Sequence, residues 1–270
     1  MNIAQIENIT AAKQYPWNEE DLEEFREMVL KEEDLNSRTD DIFLLSFLRS
    51  RKYNKQRALE LLRNYYSVRR NVAELKSHRP SAIEHVLQAD VTSSVFIDNG
   101  RLLIFGRASH WDTTKISAID LGKSVLLHLD YYLNDHRLQV NGLSYILDLK
   151  GLSWKHVICF TPRIVKLHIT CFMKTLPVSY KSAHLINVNR YIFVILTLLW
   201  PFFPKKLRDR IHLHGSNLEA LHKEIDPKYL PVEFGGTSES FDWSESNQLM
   251  KDNEEFFREN EKYWNNEKKN

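Results

Sequence analysis

Only two of the 270 residues are cysteines, Cys159 and Cys171, so a fold held by a disulfide framework is excluded, and both thiols read as packed apolar groups. Glycine is scarce too, at 8 residues, which leaves few places where backbone can close around a phosphate. The sequence has no GxxxxGK[ST] loop, no GxGxxG, no GxSxG nucleophile elbow and no HExxH. Nothing therefore marks a nucleotide site, a serine hydrolase or a zinc protease, and the reading expects no enzyme and no cofactor. His212 and His214 share a strand face with no cysteine or carboxylate at ligand spacing, so no metal is expected either. Residues 1–30 lack a basic stretch followed by an apolar one, which argues against a signal peptide and for a cytoplasmic address, and this leaves the sequon Asn8-Ile9-Thr10 without a role. The longest conspicuous uncharged run, Tyr191 to Phe203, falls short of the roughly 20 residues that span a bilayer.

What is present is segregated charge. The total is +1, yet residues 1–41 carry 4 basic against 12 acidic side chains, residues 42–72 carry 8 against 1, residues 155–215 carry 10 against 1, and residues 239–270 carry 5 against 9. Two basic blocks between acidic ends call for an anionic partner: nucleic acid, a membrane surface, or the chain's own termini.

Periodicity divides the chain. Asn18 with Glu19, Glu20 and Asp21 is a helix start, Asp40 opens a second helix, and Asn54 caps a third that carries Ala58, Leu61, Leu62, Tyr65 and Val68 on one face. From about residue 80 the period changes. Val95 to Ile97 and Leu102 to Phe105 flank Asp98-Asn99-Gly100 and predict a hairpin. A helix over 118–138, a strand at 143–147, a helix over 162–176 opened by Thr161-Pro162, a strand at 183–186 and a helix over 190–200 then predict an α/β sheet with crossovers. The helix over 118–138 has an apolar stripe of Ile119, Gly122, Val125, Leu126, Leu129 and Leu133, and that over 162–176 one of Ile164, Val165, His168, Cys171, Phe172 and Leu176. The run 191–203 is apolar on every face and is followed by Lys205-Lys206-Leu207-Arg208-Asp209-Arg210. It suits either a helix buried on all sides or one that meets lipid with cations beside it.

Several stretches together resemble the CRAL-TRIO lipid-binding family. Phe43 to Tyr53, followed by Ala58, Leu62, Tyr65 and Arg69, is similar to its helical N-terminal module. Asp148-Leu149-Lys150-Gly151, His184-Leu185-Ile186-Asn187, Ile211-His212-Leu213-His214-Gly215 and Leu230 to Gly236 are similar to its lipid domain, most of all in the α-tocopherol-transfer and cellular-retinaldehyde-binding branch. The resemblance implies a helical module over 1–78 and a lipid-binding domain over 79–238 with a mixed sheet floor, enclosing helices and a mobile gate helix, while the charged tail over 239–270, with Phe256, Phe257, Tyr263 and Trp264 interspersed, is expected to dock as a last helix. It implies a pocket of Val125, Leu126, Leu129, Leu143, Leu147, His168, Cys171, Phe172, Leu176, Ala183, Ile192, Ile195, Leu196 and Leu199, with Val125 and Leu129 replacing two hydroxyl-bearing positions of the tocopherol carrier. It further implies that Arg51, Lys181, Lys206 and Arg210 hold a phosphoinositide such as phosphatidylinositol bisphosphate, although Ser179 and Glu60 stand where that pattern has cations, and that Phe202 and Phe203 enter the membrane. The function so implied is an intracellular carrier that sequesters one hydrophobic lipid (isoprenoid, retinoid, tocopherol-like or phospholipid) and exchanges it at anionic membranes. The alternative is an adaptor whose shape the bound lipid sets. Nucleic acid fits poorly, because the basic blocks abut an apolar helix and not exposed stacking aromatics.

Overall fold

The computed structural model describes residues 14–215, 218–239 and 241–265, so the sequon at Asn8 lies outside the described residues. Three helices come first, α1 (Glu19–Leu30), α2 (Asp41–Ser50) and α3 (Lys55–Asn71). Each begins at the cap its sequence predicts: Asn18, Asp40 and Asn54 accept the backbone N–H of Asp21, Phe43 and Arg57 at 3.1, 3.3 and 3.0 Å. Phe43, Phe47, Tyr65 and Tyr66 pack edge to face between them, with ring centroids 5.1–5.7 Å apart for four of the pairs.

The sheet runs β1 (Thr92–Phe96), β2 (Leu102–Arg107), β3 (Leu143–Asp148), β4 (Tyr180–Ile186) and β5 (Ile211–Leu213), in that spatial order. The first pair is antiparallel through the Asn99-Gly100 turn, where Gly100 takes φ +73°, and the remaining pairs are parallel. Parallel neighbours need crossovers, and these are the helices that build the site: α4 (Ala118–Tyr132) between β2 and β3, α5 (Pro162–Ile169) between β3 and β4, and α6 (Arg190–Leu199) between β4 and β5. Strand alternation splits the sheet into two faces. Leu103, Phe105, Ile146 and Ile186 pack under Leu230, Phe234 and Trp243, whereas Tyr145, Leu147, Ala183 and Leu185 face the crossover helices.

Two helices depart from the uniform periods expected of them. The helix over 118–138 stops at Tyr132, because Asp135 accepts from the Arg137 N–H at 2.8 Å and starts a separate turn, His136–Asn141. The helix over 162–176 is α-helical only to Ile169 and continues as a π-helical turn over Thr170–Thr175, which inserts residues into the period and rotates everything after it. The C-terminal tail docks as two helices, α7 (Glu245–Asp252) and α8 (Glu254–Asn265), broken at Asn253. Met250, Phe257 and Trp264 are buried, and Glu261 accepts from Arg79 Nη1 at 2.6 Å.

A buried ionic group joins the helical layer to the sheet layer. Arg69 on α3 donates to both carboxylate oxygens of Asp130 on α4 at 2.7 Å, and Tyr65 Oη and His78 Nε2 approach the same carboxylate at 3.1 and 3.0 Å. Burial pushes the Asp130 carboxyl up, but Arg69 and His78 outweigh it and hold the group at about 2. Around this group α2, α3 and the facing side of α4 form one continuous apolar cluster.

Candidate functional site

Between the sheet and α4, α5 and α6 lies a cavity of about 370 Å³. Gly106, Leu147 and Leu185, toward the C-terminal ends of β2, β3 and β4, contribute to its wall, the usual place for a ligand in a parallel sheet. At about 30 Å³ for a water-sized group, it holds roughly a dozen methylenes. The wall is almost wholly apolar: Leu121, Val125, Leu152, Phe160, Phe172 and Met173 from the helices and loops, with α6 above.

Of the fourteen expected pocket residues, Val125, Leu147, His168, Phe172, Ala183, Ile192, Ile195, Leu196 and Leu199 stand on this wall. Leu126, Leu129, Leu143, Cys171 and Leu176 do not; they are buried in the cluster shared with α2 and α3. The reason is geometric. On α4 the apolar stripe is wider than one face, so Leu121, Gly122 and Val125 face the cavity while Leu126, Leu129 and Leu133 turn toward the helical layer. On the other wall the π-helical turn sends Cys171 and Leu176 the same way. Burial pushes the Cys171 thiol up to about 11, as suits a packed side chain.

The wall also holds residues that the sequence reading passed over. Tyr145 shares its strand face with Leu143 and Leu147, so period two alone points to it. Trp111, Leu149, Leu152 and Phe160 sit on the loops that follow β2 and β3, whose course no periodicity reveals. Asp148 of the Asp148-Leu149-Lys150-Gly151 motif shapes the second loop: its Oδ1 accepts from the Lys150 N–H at 2.8 Å and from Asn187 Nδ2 at 2.7 Å, and Gly151 takes φ +83°.

The α6 helix covers the cavity. Asn189 ties its start to the floor, accepting the Tyr191 N–H at 3.0 Å while its Nδ2 donates to the carbonyls of Leu149 and Leu152. Ile192 and Ile195 point inward and are 5% exposed each, whereas Phe193 on the opposite face is 54% exposed and Phe202 just beyond is 51% exposed. Val194, Leu198 and Trp200 extend that outer apolar face, and Trp154 and Ile158 lie open on the short helical segment against which α6 packs. Phe203, paired with Phe202 in the sequence reading, instead lines the cavity.

The expected cationic group is partly assembled. Lys206 and Arg210 lie close enough to Lys181 to act on its charge: burial and then Arg101, Arg210 and Lys206 lower the Lys181 ammonium pKa. Arg101, from the β1–β2 hairpin, was not foreseen; its place beside Gly100 at a turn facing the same edge was the only signal. Arg210 donates to the Tyr180 carbonyl. Arg51 is set apart, since the charges that act on it are Arg57 and Glu60.

On the sheet face turned away from the cavity, His184, His212 and His214 stack with centroids 5.1–6.4 Å apart beside Glu224. His184 Nδ1 and His214 Nε2 are 3.0 Å apart, and Ser182 Oγ is 2.9 Å from His184 Nε2. Burial, then the like charges of His212 and His214, lowers His184 to about 4, which keeps that ring neutral. Among the described residues no set of histidine, cysteine and carboxylate groups is placed to hold a metal ion, and no helix is long and apolar enough to cross a membrane.

Comparison with known proteins agrees with this architecture. Clavesin-1 of Xenopus laevis is 34% identical over 229 residues, spanning 83% of this chain and 69% of its own length. Clavesin-1 of Rattus norvegicus is 35% identical over 230 residues, spanning 83% and 65%, and human clavesin-2 is 34% identical over 229, spanning 83% and 70%. The chain thus spans about two thirds of the length of these relatives. The crystal structure of Sfh5 superposes with a TM-score of 0.50 at 14% identity, covering 86% of this chain and 92% of that one, which shows a shared fold. Residues 16–81 match the Pinta-like, UBA domain. Residues 98–236, more than half of the chain, match the CRAL/TRIO domain, and with that match and these relatives the chain belongs to the CRAL/TRIO family.

Proposed function

We propose that the protein is a carrier: it shields one hydrophobic lipid in the cavity and exchanges it at an anionic membrane, acting by binding and not by catalysis. The observation that carries this reading is the cavity itself, a dozen methylenes in size and apolar on nearly every side, closed by a helix that is apolar on its outer face as well. A helix in water buries one face and wets the other. One that is apolar on both faces is suited to a lipid inside and a bilayer outside. In this reading α6 is the gate. It swings about the loops at Asn189 and Pro204, and Phe193, Leu198, Trp200 and Phe202 replace water with acyl chains as it opens.

The cations would set where this happens. Lys181, Lys206, Arg210 and Arg101 offer a bisphosphorylated inositol headgroup a common anchor at the sheet edge beside the gate, with Arg51 a separate contact with the same surface. The N-terminal helical module (1–78) would brace the lipid-binding domain (79–238) through the Arg69–Asp130 pair, leaving the gate the mobile part.

The test is transfer of a fluorescent lipid between vesicles, with and without phosphatidylinositol bisphosphate in the acceptors. At about 1 kcal/mol per cation near an anionic surface, Lys206→Ala with Arg210→Ala should slow phosphoinositide-dependent transfer about thirtyfold at low salt, and less as salt screens the wild type. A double variant that transfers as fast as wild type would remove the docking role. Retention in solution without transfer would favour the adaptor reading.

A further inference from the structure

Side chains bearing nitrogen or oxygen reach the cavity wall from Thr92, Arg107, Trp111, Tyr145, Asp148 and His168. Most have their partners elsewhere. Thr92 Oγ1 lies 2.7 Å from Ser124 Oγ, and Trp111 Nε1 donates to the Ile116 carbonyl at 2.9 Å. Arg107 and Asp148 end β2 and β3 at strand positions that turn to the opposite sheet face. There Arg107 Nε donates to the Asp90 carbonyl at 2.9 Å with its guanidinium 3.8 Å from the Trp243 ring, and Asp148 holds the Lys150 and Asn187 contacts. His168 sets its Nε2 into the gap left by Gly122, where it is enclosed: a Cβ on that glycine would come within 2.4 Å of it.

Tyr145 is left. Its ring stands on the cavity face of β3 and stacks on Tyr180 with centroids 6.2 Å apart. The two phenols differ: Tyr180 Oη donates to the Phe172 carbonyl at 2.6 Å, whereas Tyr145 Oη makes no hydrogen bond among the described residues. Nor is it sealed in, since it is not one of the enclosed polar atoms that lack a partner. Burial alone raises the pKa of the phenol, so the group lies deep in the protein and stays neutral. Deep and yet open, on the cavity side of its strand, the oxygen faces whatever fills the cavity.

A phenol turns its proton to suit its partner. It donates to a carbonyl or ether oxygen, and with a hydroxyl it either donates or accepts. A hydrocarbon would leave it unmatched. A carboxylate would gain one hydrogen bond and no counter-charge, because Lys181, Lys206, Arg210 and Arg101 do not line the cavity and Arg107 is turned away, and burying an unpaired anion is prohibitive.

We propose that Tyr145 selects the cargo: its hydroxyl pairs with the neutral oxygen of a lipid alcohol, aldehyde, ether or ester, and so favours these over plain hydrocarbons and fatty-acid anions. This rests on the carrier reading and adds to it a specificity-determining contact.

The experiment is displacement of Nile red, a neutral fluorescent dye, by decane, 1-decanol, decyl methyl ether and decanoate, from the wild type and from Tyr145→Phe, which removes the oxygen and keeps the ring. On the wild type decanoate should bind about tenfold or more weakly than 1-decanol. Tyr145→Phe should weaken 1-decanol and the ether about tenfold, the worth of one hydrogen bond, and leave decane where it was. In an NMR spectrum of the wild type the Tyr145 ring carbon that bears the oxygen should move on adding 1-decanol and not decane, a reading that holds if the variant does not fold. Equal losses for decane and 1-decanol, no loss for either, or decanoate binding as tightly as 1-decanol would overturn the selection by Tyr145 and leave the carrier reading standing. Displacement by none of the four would overturn both.

Discussion

Val125 and Leu129 lie one helical turn apart on α4, and a tryptophan at each should have opposite consequences. Val125 is half-buried on the cavity wall, whereas Leu129 is fully buried among Leu62, Leu133 and Cys171 in the helical layer's core. Val125→Trp adds seven heavy atoms to a space that holds roughly a dozen methylenes, removing about half of it. Six methylenes displaced at about 0.8 kcal/mol each is about 5 kcal/mol of lost burial, a weakening of several thousandfold in ligand affinity. Folding should hardly change, because the ring grows into empty space. Leu129→Trp has no such space. It should destabilise the fold by about 1–3 kcal/mol through strain while leaving the cavity its volume. Urea unfolding and fluorescent-lipid titration on both variants read the two effects separately. If Val125→Trp costs as much stability as Leu129→Trp, or binds lipid as wild type does, the placement of the cavity is wrong.

Three further outcomes follow from other parts of the molecule. Phe202→Asp should impair membrane association even on neutral vesicles in a flotation assay and leave lipid retention in solution unchanged, since Phe202 is exposed just beyond α6 and does not line the cavity. Asp130→Asn should cost about 3–5 kcal/mol in urea unfolding by stranding the buried Arg69 guanidinium, and a paired Arg69→Met/Asp130→Leu change should recover most of it. His128, buried with Nδ1 2.9 Å from the Ser124 carbonyl, is lowered by that burial to about 4 from about 6.5. Because the unfolded chain binds the proton first, its share of stability, about 3 kcal/mol, is complete above pH 6.5 and lost as pH falls toward 4; His128→Gln should flatten that part of a stability–pH profile.

The sequence made some elements readable and hid others for identifiable reasons. Caps at Asn18, Asp40 and Asn54, the Asn99-Gly100 turn and the apolar strands are local signals, each set by hydrogen bonds or sterics within a few residues, and they stand where the pattern put them. The two apolar faces of α6 were visible as thirteen uncharged residues, but which face turned inward depended on what packed beneath. The cavity wall was harder, because a stripe at helical spacing does not say whether it meets a core or a void. Leu126 and Leu129 met a core because α2 and α3 lie behind α4, a tertiary fact. Cys171 and Leu176 were displaced by a π-helical turn, whose extra residue has no composition of its own. Tyr145 was within reach of the period-two rule, whereas Trp111 and Phe160 sit on loops and were not.

The claim at the centre is that one lipid occupies the space between the sheet and α6. Native mass spectrometry of the protein after exposure to a cell lipid extract tests it directly. The account predicts a single stoichiometric adduct on the wild type that solvent extraction releases as a neutral apolar molecule, and its loss from the Val125→Trp variant at unchanged fold stability. A wild-type protein that stays at its bare mass, or an adduct that Val125→Trp retains in full, would contradict it.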